Sequence, residues 1–277
     1  MSITVARAAQ TTYLFVWTHV LTLLRLTWLP LLISSLASTY TSVKLLPFLP
    51  ALQDKAPAAI LAAARPIIGW LLFGLGMTII MSAVAAVAVM RYVVRGDPGT
   101  DNKIVHVAFG VSELRVIAVT IIIAAMMFLA GIPFVFLFGL ISTVTASPLV
   151  LNVMPFAISA GVLIMAARWM MAYPVAAIEE RINFNRAWSL IRPGYPQFLL
   201  LIVCLLLPLF VLDTAVELLV APDPNGTVAQ MRAAIEQRWV VITAWSFVIN
   251  FAMTAVFFTA LGIIYREATG KHFGVTA

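Results

Sequence analysis

Six stretches of about 20 apolar residues, centred near Leu36, Ile79, Met127, Gly161, Leu206 and Ala252, leave this chain few ways to fold. A hydrocarbon core roughly 30 Å thick is crossed by a helix of about 20 residues at about 1.5 Å each. With 10% charged residues and a mean hydropathy of +1.05, the chain has lipid as its solvent. The expectation is an all-α polytopic membrane bundle of six transmembrane helices over 26–46, 67–91, 116–141, 149–172, 197–220 and 239–265, a single domain over 1–277. Pro30, Pro133 and Pro208 mark kinks, and Gly131 beside Pro133 marks the most deformable point. The connections are too short for a soluble catalytic module; the longest runs from Leu46 to Arg65.

Basic residues set the expected orientation, because loops rich in Lys and Arg stay in the cytoplasm. Twelve basic residues then lie inside (Arg7, Arg25, Arg91, Arg95, Lys103, Arg115, Arg168, Arg181, Arg186, Arg192, Arg266 and Lys271) and five outside (Lys44, Lys55, Arg65, Arg232 and Arg238). Six acidic residues fall inside and five outside, so the net charge of +6 belongs to the inner face and both termini are cytoplasmic. That face is expected to attract anionic lipid headgroups. Nucleic-acid binding is excluded, since the arginines are spread over short juxtamembrane segments without a basic run or groove. Arg25 and the lack of a small-residue cleavage site argue against reading the N-terminus as a secretion signal. Cys204 sits in an apolar stretch, where packing is expected rather than thiol chemistry.

Aligned by its basic segments, the chain divides into three units, 3–98, 102–177 and 178–272, each reading as a surface helix, an outward span and an inward span. The expected amphipathic surface helices are Thr12 to Arg25, Lys103 to Arg115 and Glu179 to Arg192, on the cytoplasmic side. Inward spans end alike in Met90-Arg91-Tyr92, Arg168-Trp169-Met170 and Ile264-Tyr265-Arg266, arginine beside an aromatic, as expected of side chains at headgroup level. The shared order suggests three parallel hairpin repeats about an axis along the membrane normal.

The segment from Arg168 to Gly194 holds the candidate polar cluster Arg168, Glu179 and Arg186. Pro174 lacks the amide a helix needs and disfavours helical geometry at Tyr173, so the fourth span should kink or end there. In a continuous helix Glu179 and Arg186 share a face but lie two turns apart, too far to pair. Glu179 is then expected to meet Arg168 across the bend, or an arginine of another unit, clamping the surface helix. A carboxylate flanked by arginines keeps its charge, which argues against proton transfer. The arginine before the bend, Pro174 followed by Glu179, and Trp188 and Leu190 before Gly194 resemble the membrane domain attached to some bacterial glycerophosphodiester phosphodiesterases and the YciC-like membrane proteins. Phe109-Gly110 with Glu113 and Arg115 is similar to that family's entry into its third span. Pro193 stands where the family pattern has a basic residue. The resemblance implies a six-span bundle of the bacterial inner membrane and no enzyme activity, since the phosphodiesterase chemistry resides in a separate soluble barrel.

Ionisable groups within a span are functional candidates, and here they are Asp213 and Glu217, four apart near the outer end of the fifth span. Pairing with Arg232 or Arg238 from the next loop makes them interfacial anchors. Asn250 is placed to hydrogen-bond a neighbouring helix. No HExxH, Gly-rich phosphate loop or Cys-x-x-Cys occurs, and His19, His106 and His272 are scattered, so no catalytic, metal or cofactor site is expected. Asn225-Gly226-Thr227 matches a glycosylation acceptor, a triplet common by chance. Two functions remain. One is a non-enzymatic scaffold or accessory protein binding anionic lipid or a membrane protein partner at its basic face. The other is a small-solute or lipid transporter with a site between repeats; sparse polarity at mid-depth favours the first.

Overall fold

The computed structural model describes residues 5–45, 48, 57–96, 109–144, 161–162, 164–220 and 228–270, and among them helix is the regular structure throughout, with no strand. The elements are α1 (Val5–Thr18), α2 (Val20–Leu45), α3 (Pro57–Arg95), α4 (Val111–Val144), α5 (Ala172–Ile178), α6 (Phe184–Ile191), α7 (Tyr195–Val220) and α8 (Val228–Thr269), with a 3-10 turn at Arg192–Gly194 joining α6 to α7. Five helical stretches are long and apolar enough to cross a membrane: Val20–Leu45, Pro66–Arg95, Val111–Pro133, Phe184–Val216 and Ala233–Thr269. Most of the expected fourth span, 149–172, lies outside the described residues. What is described there belongs to a shorter apolar stretch, Ile164–Ile178.

Departures from the expected boundaries have local causes. The first long helix starts at Val20, so Arg25 lies inside it with its side chain exposed. Thr12–Thr18 belong instead to α1, which a single turn residue, His19, separates from α2. There the Thr18 hydroxyl donates back to the carbonyls of Leu14 at 2.8 Å and Phe15 at 3.1 Å, a side-chain contact that bends helices. Helix α1 packs on α7 and α8, burying Ala8 and Thr12, and the Tyr13 hydroxyl donates to the Leu205 carbonyl at 2.7 Å. Of the second expected surface helix, residues 103–108 lie outside the described residues, while Val111 to Arg115 open α4. The third is helical only over α6.

The break around Pro174 falls earlier than expected. Residues 168–171 form turns, in which the amides of Arg168, Trp169 and Met170 bond three residues back to Met165, Ala166 and Ala167, and Pro174 itself lies in the first turn of α5. A proline ring clashes with the carbonyl four residues before it, so the disturbance lands at Met170, and the first helical turn tolerates the missing amide. Pro30, Pro66, Pro133 and Pro208 all lie inside helices.

Helix α5 is apolar all round and buried, from Ala172 to Ile178, with only Tyr173 partly exposed. It touches α3, α4, α6 and α8 and forms the centre of the main core, with Met90 and Val94 of α3, Val116 and Val119 of α4, Ile191, Phe198 and Leu205 around the α6–α7 junction, and Leu261 and Ile264 of α8. Lipid tails are as apolar as these side chains, so close van der Waals fit and small residues hold the helices together. A Cβ placed on Gly74 of α3 would meet Thr41 Oγ1 at 2.7 Å, and one on Gly262 of α8 would meet Val93 Cγ1 at 2.8 Å. Polar contacts add to this seam: Thr243 donates to Thr39 at 3.1 Å, and Asn250 to Ser35 at 3.3 Å, both between α8 and α2.

Val93 is buried and stiff at χ1, so the α3–α8 contact has little room to give. Gly262→Ala should therefore destabilise the detergent-solubilised protein by about 1–3 kcal/mol, as overpacking does. Gly69→Ala, where a Cβ meets nothing within 4 Å, should not lower the thermal midpoint and should raise it slightly, because alanine is the better helix former.

Candidate functional site

The short run between α5 and α6 turns sharply, with Glu180 at φ 57°, and carries Glu179 against the end of α8. The Glu179 side chain is 9% exposed, a depth at which a carboxylate needs partners. It has three. Arg181 donates to its Oε2 through two nitrogens, at 2.6 and 2.9 Å. Arg186 approaches Oε1 at 3.3 Å, and the fully buried Tyr265 donates its hydroxyl to the same oxygen at 3.0 Å. Burial pushes the Glu179 carboxyl up, but the hydrogen bonds from Arg181, Tyr265 and Arg186 outweigh it and hold the group below its ordinary value.

This corrects three expectations. Glu179 and Arg186 do pair, because 179–183 is a turn rather than helix, and Asn183 caps α6 by accepting from the Arg186 amide at 2.9 Å. Arg168 does not reach Glu179; its guanidinium lies 4.3 Å from the centre of the Trp188 ring. Tyr265, read in the sequence as a ring at headgroup level, is instead buried in the core. Nothing in local periodicity marks it as the partner of a glutamate 86 residues away.

Beside this cluster, the end of α3 meets the start of α4. Arg95 donates to the carbonyl of Ile178 at 3.1 Å, Arg91 to the Ser112 hydroxyl at 2.9 Å, and Arg115 lies 3.6 Å from Glu180. Glu113, 3% exposed, accepts from the Gly110 amide at 2.8 Å and so caps its own helix. Between these side chains lies an open cleft of about 390 Å³ lined by Arg91, Phe109, Gly110, Val111, Ser112, Glu113, Arg115 and Glu180. Buried nitrogens face no hydrogen-bond acceptor on two of these arginines, Nε of Arg91 and one terminal nitrogen of Arg115.

The remaining candidates stand apart from this end. Asp213 accepts from the Trp245 indole at 3.0 Å, which ties α7 to α8. The side chains of Glu217 and Arg232 lie outside those described, as do His106, His272 and the Asn225 triplet. Cys204 is exposed on α7 rather than packed in the core. A second cleft, about 190 Å³, lies between α3, α4, α5 and α8 and is lined by the hydroxyl residues Thr78, Ser82, Thr120 and Tyr173 among apolar ones. Among the described residues no group of three or more His, Cys, Asp or Glu could hold a metal.

No family model matches the chain, and no curated protein and no solved structure is similar to it.

Removing the Glu179 charge leaves Arg181 and Arg186 without their counter-ion, while a glutamine oxygen can still accept from Tyr265. Glu179→Gln should cost about 2–3 kcal/mol, less than the ~3–5 of a fully dry pair because Arg181 is solvated. A carboxyl held below its ordinary value stabilises the fold above that value, about 4.5, and the contribution fades as the pH falls through the lowered one. The thermal midpoint of the native protein should thus drop on acidification below about pH 4.5, and that of Glu179→Gln should drop less over the same range.

Proposed function

We propose that this protein is a non-enzymatic membrane scaffold or accessory protein whose arginine-rich end faces the cytoplasm and binds anionic lipid headgroups, on which a membrane partner can be gathered. The observation that carries the reading is convergence. The contacts of Arg91, Arg95, Arg115, Arg168, Arg181 and Arg186 all fall on the α3–α4 and α5–α6 ends, together with the acidic Glu113, Glu179 and Glu180. The basic excess of this end is the charge pattern that anionic leaflets attract, at about 1 kcal/mol per residue near the surface.

Six crossings in three hairpins, with both ends on one side, fit the same geometry. Helix α4 starts beside Arg91 and runs away from it, for about 34 Å by Pro133 alone. The chain is next described around Ile164, whose carbonyl accepts from the Tyr195 hydroxyl beside the α6–α7 junction. A return crossing between those points accounts for both. A resemblance to YciC-like membrane proteins, read on the residues between Arg168 and Gly194 and on Phe109 to Arg115 alone, would imply such a bundle and a bacterial inner membrane.

The transporter reading has less support. The hydroxyl-lined cleft, at about 190 Å³, is below the roughly 300–1,000 Å³ of a pocket for a small organic ligand.

Single cysteines at Thr100, Ser147, Asn183 and Thr227, in a Cys204→Ala background, test the orientation in intact cells with an impermeant maleimide. Labelling at Ser147 and Thr227 alone is expected. Labelling at Asn183 would reverse the topology and remove the basis for a cytoplasmic lipid-binding face. In reconstituted bilayers, spin-labelled phosphatidylglycerol should be motionally restricted by the protein more than phosphatidylcholine. Raising salt from about 0.1 M to about 1 M should shrink that excess, as the screening length falls from ~10 to ~3 Å.

A further inference from the structure

We propose that the cleft between the end of α3 and the start of α4 is a binding site for a phosphate group carrying one negative charge, with Arg91, Ser112 and Arg115 as its ligands and Glu180 as a tethered carboxylate that gives way to it. The inference rests on the reading of this end as one that meets anionic headgroups, and it names a site and a chemistry for that reading.

Both arginines of the cleft hold a buried donor without an acceptor, as does Arg266 on the last turns of α8, which does not line the cleft. Arg181 spends two nitrogens on Glu179, and Arg95 donates to a backbone carbonyl. Arg91 is oriented by one bond to Ser112, and its Nε is buried with no acceptor. A terminal nitrogen of Arg115 is likewise buried without one, its nearest carboxylate standing off at 3.6 Å. A guanidinium is a planar fork of five donors, suited to two oxygens of one oxyanion, and two forks on one cleft suit a tetrahedral one. Ser112 accepts from Arg91, so its own proton is available to a ligand oxygen. The opening amides of α4 point the same way, since a helix offers its first amides no internal acceptor. Glu113 answers only that of Gly110.

Charge selects among phosphates. Glu113 is 3% exposed and turned back on its helix, so its charge stays in the cleft. Glu180 is held loosely, its side chain 55% exposed and paired with Arg115 beyond hydrogen-bond reach. With Glu180 swung out, two arginines face one carboxylate, an excess of one positive charge. That matches the single charge of a phosphodiester or of monobasic phosphate rather than a dianion. The cleft's rim is apolar, with Phe109 55% and Val111 62% exposed. Such a rim suits the glycerol backbone and first acyl carbons of a phospholipid, whereas soluble phosphate gains nothing from it.

The test uses the full chain in detergent micelles, titrated with short-chain phosphatidylglycerol and read by native mass spectrometry as the affinity of the first lipid bound. Arg91→Gln combined with Arg115→Gln should weaken that lipid by about tenfold or more, the loss expected of charge-assisted hydrogen bonds. Arg115→Lys keeps the charge but not the fork and should also weaken it, which separates recognition from misfolding. Glu180→Gln should tighten binding by roughly threefold through removal of the competing carboxylate. Arg192→Gln, on an exposed arginine of the same end, should change it less than about twofold. If inorganic phosphate alone competes with the lipid in the wild type, the site takes the phosphate group whatever carries it; if only glycerophospholipid binds, the rim contributes. Equal losses from Arg192→Gln and from the double variant would mean diffuse attraction, overturning the site while leaving the basic end as a lipid-binding face. Weaker binding in Glu180→Gln would also overturn it. Failure of the wild type to prefer phosphatidylglycerol over phosphatidylcholine would sink the broader reading as well.

Discussion

One buried carboxylate organises the polar end of this bundle. Glu179 is held by Arg181, Arg186 and Tyr265, and those three side chains come from the α5–α6 turn, from α6 and from the last turns of α8. A charge at that depth is tolerable only when its oxygens are answered, so the turn cannot relax without exposing or orphaning it. The left-handed backbone at Glu180 persists within that constraint and presents the next carboxylate toward Arg115 of α4. Two adjacent glutamates thus serve different neighbours, one buried and firmly bonded, the other exposed and loosely paired.

The packing beneath depends on helix α5, whose alanines let α3, α4 and α8 approach together. In lipid no hydrophobic force draws helices together, so their fit has to come from small residues and a few hydrogen bonds. Gly262 against Val93, Gly74 against Thr41, and the Asn250–Ser35 and Thr243–Thr39 contacts are of this kind. They are spread along α2, α3 and α8, and none of them opens a broad polar path at mid-depth. These contacts join the helices in the middle of the bundle, while the arginines gather at one end.

Much of the fold was legible from composition and run length alone. The five long helices fall on five of the six apolar stretches, and the break near Pro174 was expected from its missing amide. The candidate site was legible only in part. Glu179 and Arg186 stand out as charges beside a span, but a helical repeat sets them two turns apart, and only the non-helical run over 179–183 lets them pair. Arg168, one of two expected kinds of partner for Glu179 beside an arginine of another unit, stacks on Trp188 instead. Tyr265, Arg91 and Ser112 carried no signal of their own, since an arginine or tyrosine near a span end is ordinary in any membrane protein.

Hydropathy belongs to short stretches of chain, so the sequence by itself determined that the protein is helical, apolar enough for a membrane and concentrated in arginine between particular spans. Which arginine meets which carboxylate depends on helix ends distant in the chain, and on a turn whose backbone conformation no periodicity encodes. Only the tertiary structure could therefore bring Tyr265 to Glu179 and leave Arg91 and Arg115 with unused donors around one cleft. The physical reason is range: burial preference is written residue by residue, whereas a polar site is a meeting of side chains whose positions are decided by how the helices pack.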